Sequence, residues 1–188
     1  NWANNHKSIS MKSVLSQTGF CGGAPLHGSK ENRLHADMDS NGWPQTGRNK
    51  PLKLIKKANA VHIGGDQHIA TVIHHGIDSY EDGPWAFVVP AIVNNYYSRW
   101  WWPENEKAGV NSNPNLPWTG RYLDGFNNKI TMHAYANPDT NSNGAGYGII
   151  KFKKDTKDVT FECWPRYVDI TKDDASQFLG WPITVSLD

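Results

Sequence analysis

Length, composition and charge limit what this chain can be. Its 188 residues are enough for one domain with a hydrophobic core or for two small domains. Nineteen basic residues balance eighteen acidic ones without a dense basic block, which argues against a nucleic-acid-binding face, and no apolar run approaches the roughly 18 residues of a transmembrane helix.

The N-terminal third contains one predicted strand and dense turn sequences. Residues 11–20 indicate a strand that runs into a loop, and residues 21–34 are expected to be loop. Asp, Asn and Gly are concentrated between residues 37 and 44, before an aromatic residue and a proline, which is typical of tight turns. Residues 1–4 lack the features of a signal peptide, and we expect the chain to be a fragment or a processed piece.

A helix and a strand are predicted next. Pro51 is suited to the first turn of a helix, in which Leu52, Ile55 and Ala58 share one face. Residues 60–63 then read as an apolar strand. The order strand, loop, helix, strand predicts α/β layering in this part of the chain.

The middle of the chain combines strands with a long loop. Residues 69–76 favour a strand, although a short helix is an alternative, and residues 85–90 predict a second apolar strand. Residues 94–128 are rich in Asn, Pro and aromatic residues without periodicity, so we expect a long ordered loop there. Its anchors would be four tryptophans: Trp100, Trp101, Trp102 and Trp118.

The last third is predicted to be β-rich. Residues 130–135 form one expected strand, residues 148–153 and 159–163 a hairpin, and residues 180–186 a last short strand. We therefore divide the chain into residues 1–128, with the long loop at their end, and a β-rich segment 129–188 of the same or an added domain.

The most informative motif is His62-Ile-Gly-Gly-Asp66-Gln-His68. An apolar run stops at two glycines and presents a carboxylate and an imidazole two positions apart. Anionic oxygen and neutral nitrogen together suit divalent transition metals or calcium-like ions. The alternative is a polar turn in which Asp66 caps backbone amides.

Several ordered blocks resemble the PhoD-like alkaline phosphatase and phosphodiesterase family, which belongs to the calcineurin-like metallophosphatases. The blocks are residues 37–48, 65–68, 85–91 and 100–103, and Trp2 with residues 11–18 matches the lead-in. The resemblance therefore covers about the first hundred residues in series, and it corresponds to the C-terminal half of the family's catalytic domain.

This resemblance implies an α+β fold, part of an αββα sandwich, and hydrolysis of phosphate mono- or diesters. It assigns Asp66 and His68 as metal ligands, with iron and calcium as the family's metals and zinc or manganese as alternatives. It also implies a small-molecule phosphate ester as substrate and a periplasmic, secreted or cell-surface location. The family's earlier ligands are not found in this chain. We expect a fragment that carries part of the metal site and is inactive alone.

Weaker candidates surround this motif. Arg48 could hold a phosphate oxygen, and Asp39 could orient a ligand, although a salt bridge and a turn cap explain them as well. His62 lies within the strand, where a core or supporting role is favoured over a ligand role. His74 and His75 are neighbours in a strand and should point to opposite faces.

Other interpretations remain open. A β-rich carbohydrate-binding or adhesion module would use Trp and Asn at its surface, with Trp100 to Trp102 as a platform rather than the favoured core plug. Asn94 and Asn95 could line a cleft. A zinc site of His62, His68 and His74 is a lesser alternative. Cys21 and Cys163 could pair if brought together. The sequence does not predict the oligomeric state.

Overall fold

A computed structural model of the chain describes residues 2–24, 26–27, 29–33, 38–92, 99–105, 109–110, 112–136 and 144–187. These residues contain two helices, α1 (Trp2–Asn5) and α2 (Gln45–Lys57). Twelve strands are described, in chain order β1 (Lys12–Thr18), β2 (Leu26–His27), β3 (Ser29–Arg33), β4 (Ala60–Gly65), β5 (Thr71–His75), β6 (Trp85–Val88), β7 (Arg99–Trp100), β8 (Gly120–Leu123), β9 (Lys129–Tyr135), β10 (Gly146–Lys153), β11 (Asp158–Pro165) and β12 (Ile183–Ser186). Neither helix is long and apolar enough to cross a bilayer.

A mixed sheet of six strands forms the centre of the molecule. Its order is β1-β4-β6-β5-β9-β8, in which β1, β4 and β6 are parallel and the other pairings are antiparallel. The central strands are apolar and buried, for example Val61, Val72 and Phe87 with no exposed surface. Strands buried on both faces read as continuous apolar runs, which explains why their sequence does not alternate.

An antiparallel sheet covers one face of the central sheet. It has the order β10-β11-β12. Phe87 of β6 meets Phe161 and Trp181 at ring-centroid distances of 5.4 and 5.5 Å. A Cβ on Gly148 of β10 would lie 2.6 Å from the Phe87 ring, so a glycine is needed for this close approach.

Helix α2 and the segment 19–24 cover the opposite face. Leu52 and Ile55 of α2 are buried, as predicted, and so are Cys21 and Ala24 of the segment. The layers are therefore α2, the six-stranded sheet and the antiparallel sheet. A second helical layer is not among the described residues. The fold is mostly β with a mixed central sheet, and the complete αββα sandwich stays a prediction.

The predicted helix begins earlier than expected. It starts at Gln45, so Pro51 lies inside the helix rather than in its first turn. The additional first turn contains Arg48, whose buried side chain donates to the carbonyls of Phe20 and Gly76 and so connects the start of the helix to other parts of the fold.

The strands outside the two predicted loops are confirmed. Inside those loops the structure has four short strands, β2, β3, β7 and β8, which the sequence did not predict. β2 pairs with β3 and β7, and β8 pairs with β9. Two- to five-residue strands are too short to show a period. Strand β9 belongs to the central sheet, and the division of the chain at residue 128 stays a prediction.

The two cysteines are free and buried in the core. Burial raises the pKa of the Cys21 thiol to about 12. The disulfide that the sequence left open is therefore not formed.

Candidate functional site

Three parallel strands end side by side at one edge of the central sheet. Thr18 of β1 is paired with Gly65 of β4, and Gly64 of β4 is paired with Val88 of β6. The amide of Val89 donates to the carbonyl of Gly64 at 2.8 Å. In sheets of this kind, the loops that leave the carboxyl ends of parallel strands form the ligand crevice. The candidate site is therefore the segment after β4, residues 66–70, here called the β4 loop.

Glycine at the end of β4 allows close packing against β1. A Cβ on Gly64 would lie 3.2 Å from the amide nitrogen of Gly19 and 3.2 Å from the carbonyl carbon of Thr18. These contacts involve backbone atoms, which cannot move aside as a flexible side chain can. Gly64 thus lets the β4 loop begin directly beside the end of β1.

The backbone of the β4 loop is strained at both predicted ligands. Asp66 has φ 69° and His68 has φ 54°, both in the left-handed region that non-glycine residues rarely adopt. Between them, the amide of Gln67 donates to the carbonyl of Gly65 at 2.8 Å. Strained residues of this kind are concentrated at functional sites, where the surrounding structure must hold them.

Gln67 holds the middle of the β4 loop against β1. Its side chain is 2% exposed, and its Nε2 donates to the Oγ1 of Thr18 at 3.2 Å. Its Oε1 is buried and has no hydrogen-bond partner among the described residues. With Gln67 directed inward, Asp66 is exposed and His68 is half-buried on either side of it. Thr18 and Gln67 are not among the residues that the sequence predicted at the site. The signal for Gln67 was its position as a long polar residue between two proposed ligands.

His62 lies inside the sheet, next to β1. Its Nε2 is 2.6 Å from the Oγ of Ser16, whose hydroxyl donates to the carbonyl of Thr18 at 2.6 Å. The Ser16 oxygen therefore accepts a hydrogen bond from the imidazole, which places the ring proton on Nε2. Burial lowers the pKa of His62 to about 4, so the ring is neutral near pH 7. Ser16 is not activated as a nucleophile by this contact, and the supporting role of His62 at the site stays a prediction.

Arg48 is enclosed by the protein rather than open to a ligand. Its side chain is 2% exposed and donates to the carbonyls of Phe20 and Gly76 at 2.8 and 2.9 Å. Nη1 also donates to Asn49, and Nη2 lies 3.3 Å from Nδ1 of His75. Nearly all its donors are used inside the fold. Its substrate-binding role stays a prediction, which would require this network to open.

Asp39 lies in an exposed turn before α2, and its predicted role in orienting a ligand stays a prediction. Asp37, the first residue of the block 37–48, lies outside the described residues, and so do Asn94 and Asn95, which were expected to line a cleft.

The alternative prediction of a zinc site formed by His62, His68 and His74 is wrong. His62 is paired with Ala86, and Ala86 with Ile73, so these three share one face of the sheet, while His74 lies on the other face. There His74 stacks on Trp85 at 4.1 Å. No group of three or more His, Cys, Asp or Glu residues that could hold a metal ion occurs within the described part of the chain. As predicted, His75 points away from His74; it is 1% exposed.

The tryptophan run is a core plug. Trp100, Trp101 and Trp102 are 0%, 1% and 8% exposed, and the Nε1 of Trp101 donates to the carbonyl of Trp118 at 2.7 Å. Rings this buried cannot form a flat platform for a sugar or an aromatic leaving group. The main reason to expect a carbohydrate-binding module was a platform of tryptophans at the surface. The burial of these rings removes that reason.

A separate cavity of about 380 Å³ lies beside these tryptophans. Arg121, Tyr122 and Asp124 also line it. Arg121 is paired with Glu81 at 2.8 Å, and Asp124 accepts hydrogen bonds from neighbouring amides. Its charged walls are therefore already engaged within the protein.

The fold is similar to that of a solved structure of PhoD. A solved structure of PhoD superposes on 100% of this chain with a TM-score of 0.51 and 14% sequence identity. The alignment covers 32% of the PhoD chain, so the present chain spans about a third of its length. No protein-family model and no curated protein sequence matches. What the comparison establishes is that this chain has a PhoD-like fold.

Proposed function

We propose that this chain is part of a metal-dependent phosphoesterase, in which Asp66 and His68 are two of the metal ligands. The observation that carries the proposal is the β4 loop. It presents an exposed carboxylate and a half-buried imidazole, both with strained backbones, at the carboxyl edge of parallel strands. The PhoD-like fold supports the same reaction class, hydrolysis of phosphate mono- or diesters.

The donor set fits part of a metal site. A carboxylate oxygen suits calcium, manganese and iron, and a neutral imidazole suits iron, zinc and manganese. The side chain of Asp66 has no hydrogen bond to another described residue, so its oxygens are available to a cation. A stable site needs at least two more donors. We propose that they come from outside the described residues, and that the activity belongs to a larger protein.

The chain's own residues would hold and orient the ion. When bound, the ion supplies neutralisation of phosphate charge and activation of water. Asp66 would bind it through carboxylate oxygen and His68 through the neutral ring. Gln67 and Thr18 keep the β4 loop in place, and the neutral His62 fills the sheet beneath it. The proposal includes a small-molecule phosphate ester as substrate and a periplasmic, secreted or cell-surface location.

The test compares metal binding by the larger protein that contains this chain with metal binding by its Asp66→Ala and His68→Ala variants. We expect Mn²⁺ or Ca²⁺ titrations to show at least about a hundredfold weaker binding for each variant, because a ligand matters more than the 10–100-fold typical of its supporting residues. Asp173→Ala, at an exposed turn, is the matched control and should bind as the unaltered protein does.

Activity is measured on the larger protein that contains this chain, with a chromogenic phosphodiester. Asp66→Ala should remove the activity and Asp173→Ala should not. Equal metal content and equal hydrolysis with and without Asp66 would overturn the proposal.

A further inference from the structure

Helix α2 carries a concentrated positive charge. Its thirteen residues include five of the chain's nineteen basic residues and no acidic residue. The rest of the chain has an excess of acidic residues, so the charge of α2 is a local feature that the near-neutral total conceals. Arg48 is buried, and the four lysines of α2 are exposed.

The exposed face of α2 also carries apolar side chains. Lys50, Leu54 and Lys57 follow one another at helical spacing, opposite the buried Leu52 and Ile55. Leu54 is 62% exposed although it lies among lysines.

Trp43 lies just before the helix and is 58% exposed. With a rise of about 1.5 Å per residue, Leu54 lies roughly 13 Å beyond Gln45, the first helical residue. We call Lys50, Lys53, Leu54 and Lys57, together with Trp43 directly before the helix, the α2 face.

Among the residues that the structure describes, little neutralises this face. Lys53 lies 3.6 Å from Asp78, but the two side chains are 59% and 81% exposed, and such a pair is weak. The lysines in the last turn also favour the helix carboxyl end, which explains two of them but not the exposed Trp43 and Leu54.

We propose that the α2 face docks onto an anionic lipid surface, independently of the metal site. Lysines attract anionic headgroups, while Trp and Leu insert their apolar parts at the boundary of headgroups and acyl chains. A soluble polyanion would complement the lysines equally well, but it has no apolar interior for Trp43 and Leu54. The apolar pair therefore selects a bilayer over a soluble polymer.

The experiment is co-sedimentation of the full 188-residue chain with vesicles. We expect binding to mixed phosphatidylcholine–phosphatidylglycerol vesicles, none to pure phosphatidylcholine, and weakening at high salt. Lys50→Glu/Lys57→Glu and Trp43→Ser/Leu54→Ser should each bind the mixed vesicles at least about tenfold more weakly. All four positions are exposed, so circular dichroism should show unchanged folding.

Matched controls alter the other side of the central sheet. Leu15→Ser/Leu179→Ser removes two equally exposed leucines, and Lys153→Glu/Lys154→Glu reverses two exposed charges of the β10–β11 hairpin. Both should bind as the unaltered chain does. Controls that lose binding to the same extent as the α2 variants would overturn the proposal.

Two further results would also overturn it. One is no binding of the unaltered chain to the mixed vesicles. The other is equally tight binding of inorganic polyphosphate, with vesicle binding that does not change in Trp43→Ser/Leu54→Ser, which would identify the face as a general polyanion site.

Discussion

The turn between β5 and β6 and the β4 loop both present an aspartate after a strand, but they use it differently. In the turn, Asp82 accepts hydrogen bonds from the amides of Ile77, Asp78 and Ser79 at 2.5, 2.9 and 2.9 Å. In the β4 loop, Asp66 is exposed and makes no hydrogen bond to a described residue. A carboxylate satisfied by its own turn stabilises the fold, whereas an open one is available to a ligand. Local sequence alone does not separate the two.

The largest effect should come from Asp124, the most enclosed carboxylate among the described residues. Its Oδ1 accepts from the amides of Phe126 and Asn128, and its Oδ2 accepts from the amide of Gly22 and the side chain of Asn128. Asp124→Ala leaves these donors unpaired and should lower the free energy of unfolding by about 4 kcal/mol.

Urea denaturation measures this loss, with Asp173→Ala as the exposed control. Metal affinity should change only as far as folding does. A stable Asp124→Ala protein that no longer binds metal would contradict the distinction between carboxylates that are hydrogen-bonded within the fold and carboxylates that are available to a ligand.

The second largest effect is expected from His62, which is buried in β4. Its burial should make the stability of the protein depend on pH. Burial holds the pKa of His62 at about 4, below its unfolded value near 6.5. The unfolded chain therefore takes up the proton first as pH falls. Stability should drop between about pH 6.5 and 4, by roughly 3 kcal/mol for this histidine, and then level off.

Denaturation at several pH values, compared with His62→Gln, measures that slope. The variant should show a shallower dependence on pH in this window. Identical slopes would mean that His62 is not buried in its neutral form.

The third largest effect is expected from Asp82. Its contribution to the free energy of unfolding should depend on pH in the way expected of a carboxylate. Burial raises the pKa of Asp82, but hydrogen bonds from Ser79, Ile77 and Asp78 outweigh it and leave the pKa below its usual value. A lowered pKa means that the stabilisation is complete above about pH 4 and is lost as pH falls further. Asp82→Asn should cost about 1 kcal/mol at pH 7 and almost nothing at pH 2. A cost that does not change with pH would show that the charge of Asp82 is irrelevant.

Breaking the contact between Gln67 and Thr18 should have a smaller effect on stability. It should, however, have a specific effect on metal binding. Gln67→Leu removes one hydrogen bond and one unsatisfied buried oxygen, so the free energy of unfolding should change by less than about 1 kcal/mol. If the contact positions Asp66 and His68, metal affinity should fall roughly tenfold.

Thr18→Val breaks the same contact from the other strand and should have the same effect. The double variant should be no worse than either single one. Additive losses of metal affinity would show that the two residues act separately.

The sequence predicted the elements that have strong periodicity or a long apolar run. β4, β6, β9 and the β10–β11 hairpin lie where they were expected, because buried strands are rich in branched and aromatic residues. The strand β7 could not be predicted, since its partner β2 lies far away in the chain, and β2 and β3 pair locally but are too short to show a period. Arg48 connects the first turn of α2 to Phe20 and Gly76, and no local pattern reveals these contacts.

The position of the candidate site in the chain was predictable from the sequence. The contacts of the residues around it were not. Two glycines before Asp66 indicated a strand end followed by a turn, which the structure has. The inward direction of Gln67 and the enclosure of Arg48 depend on residues 20 to 50 positions away. Single-sequence patterns do not contain such distances, so Arg48 looked open to a ligand.

The most direct test of the account is Asp66→Gly, measured for stability and for metal binding together. Glycine relieves the left-handed backbone at φ 69°, so the free energy of unfolding should rise by roughly 0.5 kcal/mol. The Mn²⁺ or Ca²⁺ affinity of the larger protein that contains this chain should fall at least about a hundredfold. Lys157→Gly, at another left-handed position with φ 55°, should gain similar stability and keep its metal affinity. An Asp66→Gly protein that is less stable and binds metal as before would show that Asp66 is a structural turn residue.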